Sequence, residues 1–470
     1  MTVAANRAQP PLEFLPPDFT PTVWWGVKTC LPWWMRWRSS VKTIQTSGTE
    51  TLVEQFQAFQ AGHTRFLIAF RHPSPEDAYC LANLLWHETP KTARRMGVSF
   101  PTPPHVHFIY DRGIPLWAGQ GVGWLYSKLG GTPIQRGKVD RQGLKSARHL
   151  FANGRFPLAA APEGGNNGHT EIISPLEPGI AQFGFWCVED LHKAKRDETV
   201  VILPLGIQYR YVNPPWAALD GLMSTLEQEA GLTTVPLGRF PLPHAGPEAQ
   251  ALYPRLVSLG GHLLSLMESY YADFYHAEIE PLPPGAIAHL SDTELTTRLQ
   301  RLLDTALQVA ESFFRLPQRG NVIDRCRRIE QAGWDWIYRE ELREQGNLSA
   351  VGRGLADRIA EEASLRMWHM RLVESFVAVT GRYVRERPTV ERFAETLLLL
   401  RDTIVRIKGD NPFPRPQLGP QIAQLQVGEP ISVSDRWATY QSSRRQAVSD
   451  LTQDLQDALT ALIPGLNGES

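Results

Sequence analysis

Apolar positions fall into two regimes along the chain. In the first half, short blocks of branched and aromatic residues recur between helical stretches. Phe66, Leu67, Ile68, Ala69 and Phe70 form the clearest block, and an apolar run this short predicts a buried strand. Blocks at 106–110, 132–135, 156–161 and 200–205 extend the series, with Pro204 placed at the exit of the last one. Helices are expected over 51–60, from Asp77 through Leu81 and Leu85, and over 144–153, where Gly154 closes the pattern. Strands separated by helices predict an α/β core of layered sheet and helix.

Near residue 216 the period lengthens. Leu365, Trp368, Leu372, Phe376 and Val379 form one apolar stripe at helical spacing, and Phe393, Leu397, Leu400, Ile404 and Ile407 form another. Further helices are predicted over 247–274, 292–316 and 322–343, with proline-rich joints at 240–246 and 281–284. A Pro- and Gly-rich segment at 412–420 ends this block. Extended pieces follow at 424–427 and 431–433, then a last helix over 442–463 with Val448, Leu451, Leu455 and Leu459 on one face. The pattern divides the chain into an N-terminal arm (1–45), a core (46–215), a mostly helical inserted or accessory domain (216–415) and a return to the core (416–470).

Composition narrows the function. A formal net charge of -1 lacks the basic excess of a nucleic-acid binder. The cysteines, Cys30, Cys80, Cys187 and Cys326, have no metal-ligand spacing and read as inert thiols. No apolar run is long enough to span a bilayer, and the N-terminus lacks the features of a signal peptide. Tryptophan is the outlier, with 14 copies. Trp24, Trp25, Trp33, Trp34 and Trp37 crowd one stretch among Lys28, Arg36 and Arg38. That mixture suits a lipid headgroup interface, and equally an arm packed on the core. Pro32 argues against one continuous helix there.

Three segments carry candidate chemistry. In Arg71-His72-Pro73-Ser74-Pro75-Glu76-Asp77, a histidine leaves a strand and an acid follows after a turn. The carboxylate can fix the imidazole tautomer and raise the basicity of the outer nitrogen. Taken alone, the pair is a weak signal and reads first as a surface histidine beside a turn acid. The second segment runs from Gly130 and Gly131 to Arg136, with Lys138 and Arg141 behind. Glycine permits close backbone approach, and Arg136 suits bidentate phosphate binding. The third, Pro162-Glu163-Gly164-Gly165-Asn166-Asn167, follows an apolar strand and reads as a substrate-positioning acid or as a simple turn.

The order of these segments resembles the glycerolipid acyltransferase family, whose best-known members convert lysophosphatidic acid to phosphatidic acid. His72 to Asp77 matches its first block, Gly131 to Arg136 its second, Pro162 to Gly164 its third, and Ile202 to Leu205 its fourth. Val427 to Ile431 resembles a late segment of the family, so the likeness covers 45–215 and 420–463. It implies His72 as the base acting on an acceptor hydroxyl, oriented by Asp77. It implies Arg136 on an acceptor phosphate, and Glu163 and Gly164 in the acceptor pocket, with Gly131 and Lys138 as further binding candidates. The donor would be acyl-CoA or acyl-carrier protein, with no resident cofactor and no metal. The acceptor would be a lyso-lipid, reached at the cytoplasmic face of a membrane. Gly165 and Asn166 depart from the pattern, because family members carry Thr-Arg or Ser-Arg there. That departure opens a phosphate-free acceptor, such as a lyso-ornithine lipid, a glycolipid or a pigment alcohol. Thioester hydrolysis and a catalytically inactive lipid-binding scaffold are the remaining readings.

Overall fold

The computed structural model describes residues 7–135, 140–232, 242, 245–281, 291–344, 348–376 and 381–463. The strands are β1 (Val41–Ser47), β2 (Thr64–Phe70), β3 (His107–Asp111), β4 (Thr132–Ile134), β5 (Leu158–Ala160), β6 (Thr199–Tyr211), β7 (Gln421–Val427) and β8 (Ile431–Ser432). Helices α1 (Pro21–Arg38), α2 (Thr49–Gln60), α3 (Asp77–Asn83), α4 (Thr89–Arg95), α5 (Ile114–Ala118), α6 (Gln120–Lys128), α7 (Arg141–Asn153) and α8 (Gly179–Lys193) alternate with the first six strands. The helical stretch supplies α9 (Trp216–Glu229), α10 (Pro247–Tyr275), α11 (Asp292–Phe314), α12 (Val322–Ile337), α13 (Ala350–Phe376), α14 (Tyr383–Glu386) and α15 (Val390–Ile407). Helices α16 (Trp437–Ser442) and α17 (Arg444–Ala461) close the order. The expected α/β core with a large helical insertion is what the chain forms.

Two compact units result. One holds the sheet and comprises 13–135, 140–212 and 420–463 of the described residues; the other is helical, with 213–419 and the first described residues up to Leu12. The sheet order is β1-β7-β6-β2-β5-β3-β4, with β8 also on β6. From β6 through β2, β5 and β3 to β4 every pairing is parallel, whereas β7 and β8 meet β6 antiparallel. A parallel sheet needs cover on both faces. One face packs on Phe151, Phe185, Val188, Leu451 and Leu455, and the other on Leu31, Leu52, Phe56, Leu81 and Leu84. This double cover makes β2 apolar throughout its middle rather than alternating.

Pro204 lies within β6, not at its exit. Along the antiparallel side of β6, β8 is registered with Val201 and Ile202, and β7 with Leu205 onward. The missing N–H thus falls in the gap between two partners, where the ladder has no place for it. Gly48, which precedes α2, has φ 67°, and a Cβ there would lie 2.3 Å from the Val427 carbonyl oxygen.

Helix α1 runs unbroken through Pro32, contrary to the expectation of an interrupted segment. A proline deprives the carbonyl four residues back of its donor. That carbonyl belongs to Lys28, and the His87 ring stands beside it. Leu31 and Met35 anchor the same stretch in the core.

In the helical unit, the stripe read on α13 faces the core at Leu372, with Trp368 and Phe376 packed against it; Val379 lies outside the described residues, and Leu365 departs from the stripe. Leu365 is 54% exposed, while Ala356, Ala360, Ala363, Met367 and Met370 are enclosed. Small side chains let α12 and α13 approach closely. At Gly333 of α12, a Cβ would fall 2.2 Å from the Met367 sulfur.

Candidate active site

Strand β2 delivers Arg71 and His72 to the end of the sheet where β5 delivers Glu163. His72 keeps 29% of its side chain accessible, and Asp77 is wholly enclosed. His72 Nδ1 lies 2.8 Å from Asp77 Oδ2, which also accepts the Ser74 N–H at 2.9 Å. The acceptor-only carboxylate requires the ring proton on Nδ1, which leaves Nε2 as the basic atom. The turn is closed locally, since Asp77 opens α3 and its own N–H bonds the Ser74 carbonyl.

The other oxygen of Asp77 has a partner that the sequence reading missed. Tyr209, on β6, donates its hydroxyl to Oδ1. Cys80 Sγ lies 3.7 Å from the same hydroxyl. Burial, then the Asp77 charge, pushes the Tyr209 phenol well above its ordinary value. The Cys80 thiol is raised for the same two reasons in the same order. Both groups therefore remain protonated near neutral pH. A signal existed in the alternation of β6: Leu203, Leu205, Ile207 and Tyr209 share one buried face, and a buried phenol needs a partner.

The Glu163 side chain is completely enclosed. Its Oε1 accepts the backbone N–H of His72 at 2.9 Å. Its Oε2 accepts Asn167 Nδ2 at 2.6 Å and the Ser174 N–H at 3.0 Å. Arg71 is equally enclosed, with Nε 3.8 Å from Glu163 Oε1. Its guanidinium donates to the carbonyls of Thr170 (2.5 Å), His169 (3.1 Å) and Ile172 (2.5 Å). Gly164 takes φ 70° in the turn, a conformation that favours glycine. Glu163 and Arg71 thus bind the loop after β5 to the backbone that carries His72.

The structure brings His72, Asp77, Glu163 and Gly164 together. Gly131 precedes β4 and is separated from this cluster. A Cβ there would meet the Phe108 ring at 2.6 and 2.7 Å, so its absence serves packing. Arg136 and Lys138 lie outside the described residues. On either side of that segment, one carboxylate gathers the chain. Asp140 accepts the Gln135 N–H at 2.9 Å and the Gly143 N–H at 3.0 Å, and pairs with Arg112.

The catalytic turn is also tied to the N-terminal helix. Glu76 accepts Ser39 Oγ at 2.6 Å, the Ser40 N–H at 3.0 Å and the Val41 N–H at 3.3 Å, where α1 gives way to β1. Helix α1 turns Trp25, Trp33 and Trp37 outward, at 65, 73 and 72% exposure. Trp33 and Trp37 stack on each other one turn apart. Among the described residues no helix is long and apolar enough to cross a membrane. Nor do they hold a cluster of three or more His, Cys, Asp or Glu arranged for a metal.

Residues 44–208 match the model of the family described as Acyltransferase. No curated protein and no solved structure matches the chain.

Proposed function

From a core whose residues 44–208 match the acyltransferase family model, we propose that this protein transfers a fatty acyl group from a thioester donor to the hydroxyl of a lyso-lipid. The observation that carries this reading is the 2.8 Å contact of His72 with an enclosed Asp77, beneath an accessible outer nitrogen. His72 Nε2 takes the proton of the acceptor hydroxyl as its oxygen attacks the thioester carbonyl. The tetrahedral intermediate collapses, the C–S bond breaks, and the imidazolium returns the proton to the leaving thiolate. Asp77 stabilises the imidazolium while it lasts. No covalent enzyme intermediate is needed.

The acceptor we propose is lysophosphatidic acid, with Arg136 and Lys138 on its phosphate, and the donor is acyl-CoA or acyl-carrier protein. A second reading, a phosphate-free acceptor, is favoured by Gly165 and the exposed Asn166, which stand where the resembled family carries a cation. Product identification by mass over a panel of donors and acceptors tests both. Turnover of lysophosphatidic acid supports the first. Turnover restricted to phosphate-free acceptors replaces it with the second. Thioester cleavage independent of acceptor removes both.

The outward tryptophans suit a lipid surface. Between Asp18 and Glu50 the chain has Lys28, Arg36, Arg38 and Lys42 and no acidic residue. An exposed indole face with basic neighbours fits an anionic headgroup layer, and the proposed substrates are themselves insoluble in water. We place this face at the membrane during turnover.

A further inference from the structure

We propose that Tyr209 is a positioning residue of the reaction, fixing Asp77 and through it setting the basicity of His72. The inference rests on the reading of His72 as the base. Asp77 Oδ2 is shared by His72 and Ser74, and Oδ1 receives the Tyr209 hydroxyl. Among the described residues no other donor reaches Oδ1.

Tyr209 sits on a rigid element. Its strand pairs with Ile422–Leu425 of β7 around Ala423, and Tyr209 itself is buried. Asp77, by contrast, stands at the junction of a turn and a short helix. A strand-borne donor therefore fixes what the turn alone would leave adjustable. Tyr209 has no accessible route to substrate, so its influence passes through Asp77.

The sign of that influence follows from charge. A hydroxyl donating to Oδ1 draws negative charge away from Oδ2 and tempers its hold on the imidazolium. Without this donor the carboxylate is more basic and binds the protonated ring more strongly. The other ionisable neighbours do not offset this. Cys80 is held neutral, Glu76 is bound to the Ser39–Val41 turn, Glu163 accepts from the His72 backbone, and Arg71 is bound to loop carbonyls.

The test is the pH profile of kcat/KM for the full chain, with two isosteric changes at one position. Tyr209→Phe removes only the hydroxyl. A hydrogen bond to a charged group is worth enough to lower kcat about tenfold and move the acid limb up by about one unit. KM should stay within about twofold. Incorporation of 3-fluorotyrosine at 209 strengthens the donor and should move the limb down, and it serves alone if Tyr209→Phe does not fold. In an Asp77→Asn background, Tyr209→Phe should add less than about twofold, since the group it acts through has lost its charge. His72-dependent transfer with an acid limb unmoved by either change overturns this inference alone. So does a full additive loss in the Asp77→Asn background. Transfer that persists in His72→Ala overturns the base assignment, and this inference with it.

Discussion

Replacing Glu163 by glutamine tests whether this carboxylate holds the site together or meets the acceptor. Each of its oxygens accepts from N–H groups only: Oε1 from the His72 backbone, and Oε2 from Asn167 and Ser174. A glutamine must place its NH2 against one of these sets. The less costly orientation puts it at Oε1 and leaves the His72 N–H and one amide N–H buried without acceptors. Each unsatisfied group costs roughly 1–3 kcal/mol. Arg71 loses its counter-charge as well, and this buried pair would ordinarily add about 3 kcal/mol or more when broken. The three carbonyls that Arg71 retains reduce that part. The two unsatisfied groups alone give about 2–6 kcal/mol, which in a unit of this size lowers Tm on the order of 10 °C. Calorimetry or a circular-dichroism melt measures it, beside kcat and acceptor KM. The expected variant melts early and loses kcat, because the backbone under His72 has moved. A Glu163→Gln protein that melts within about 2 °C of the parent, with only its acceptor KM raised, would refute the reasoning and place Glu163 against the acceptor.

Gly131→Ala forces a Cβ into the Phe108 ring, 2.6 Å from its nearest atom, at a cost of about 1–3 kcal/mol; a lower Tm with acceptor KM unchanged is expected, and the reverse pattern would return Gly131 to the ligand. Trp33→Ser with Trp37→Ser removes two outward rings, each worth about 1.5–3 kcal/mol if buried in lipid; flotation with anionic vesicles should fall at least about tenfold at unchanged Tm, and equal flotation removes this face as the anchor. Burial pushes His369 down to about 3, whereas its unfolded value is near 6.5. The unfolded chain then binds more protons, so stability present above about pH 6.5 is lost as pH falls toward 3. The loss is about 2 kcal/mol between pH 7 and pH 5. Denaturation at the two pH values, in the parent and in His369→Gln, reads it: the variant should lose that much less, and an identical loss would show that His369 does not titrate this way.

The sequence made visible whatever rests on short range or on strong period. The β2 block, the turn from His72 to Asp77 and the helix closed by Gly154 are local patterns, and the structure forms each of them. It hid what depends on a distant partner. Pro32 predicts a broken helix, but Leu31 and Met35 hold the stretch in the core and the helix continues. Pro204 predicts a strand end until the gap between β7 and β8 makes a proline harmless. The stripe on α13 found Leu372 but wrongly included Leu365 and missed the alanines of the buried face, because hydrophobicity scales reward large side chains where this interface needs small ones. Tyr209 escaped notice because the residue it serves lies 132 positions away.

These distant partners also limit where substrate chemistry can occur. Asp77, Glu163 and Arg71 are fully enclosed, and both oxygens of each carboxylate are already met by donors. Such a network specifies one arrangement when every member is satisfied, and is costly when one is not. None of the three can turn outward to meet a substrate without leaving a buried group unpaired. Of His72, Asp77, Glu163 and Arg71, His72 alone keeps an accessible side chain. The proposed proton transfer therefore has one atom at which to occur, the outer nitrogen. The same enclosure bars Asp77, Glu163 and Arg71 from selecting the acceptor. Selection must fall to groups around the opening over His72. There the loop tip at Gly165 and Asn166 supplies hydrogen bonds and no charge, so a change to Arg at Asn166 is the substitution that should shift preference toward a phosphate-bearing acceptor.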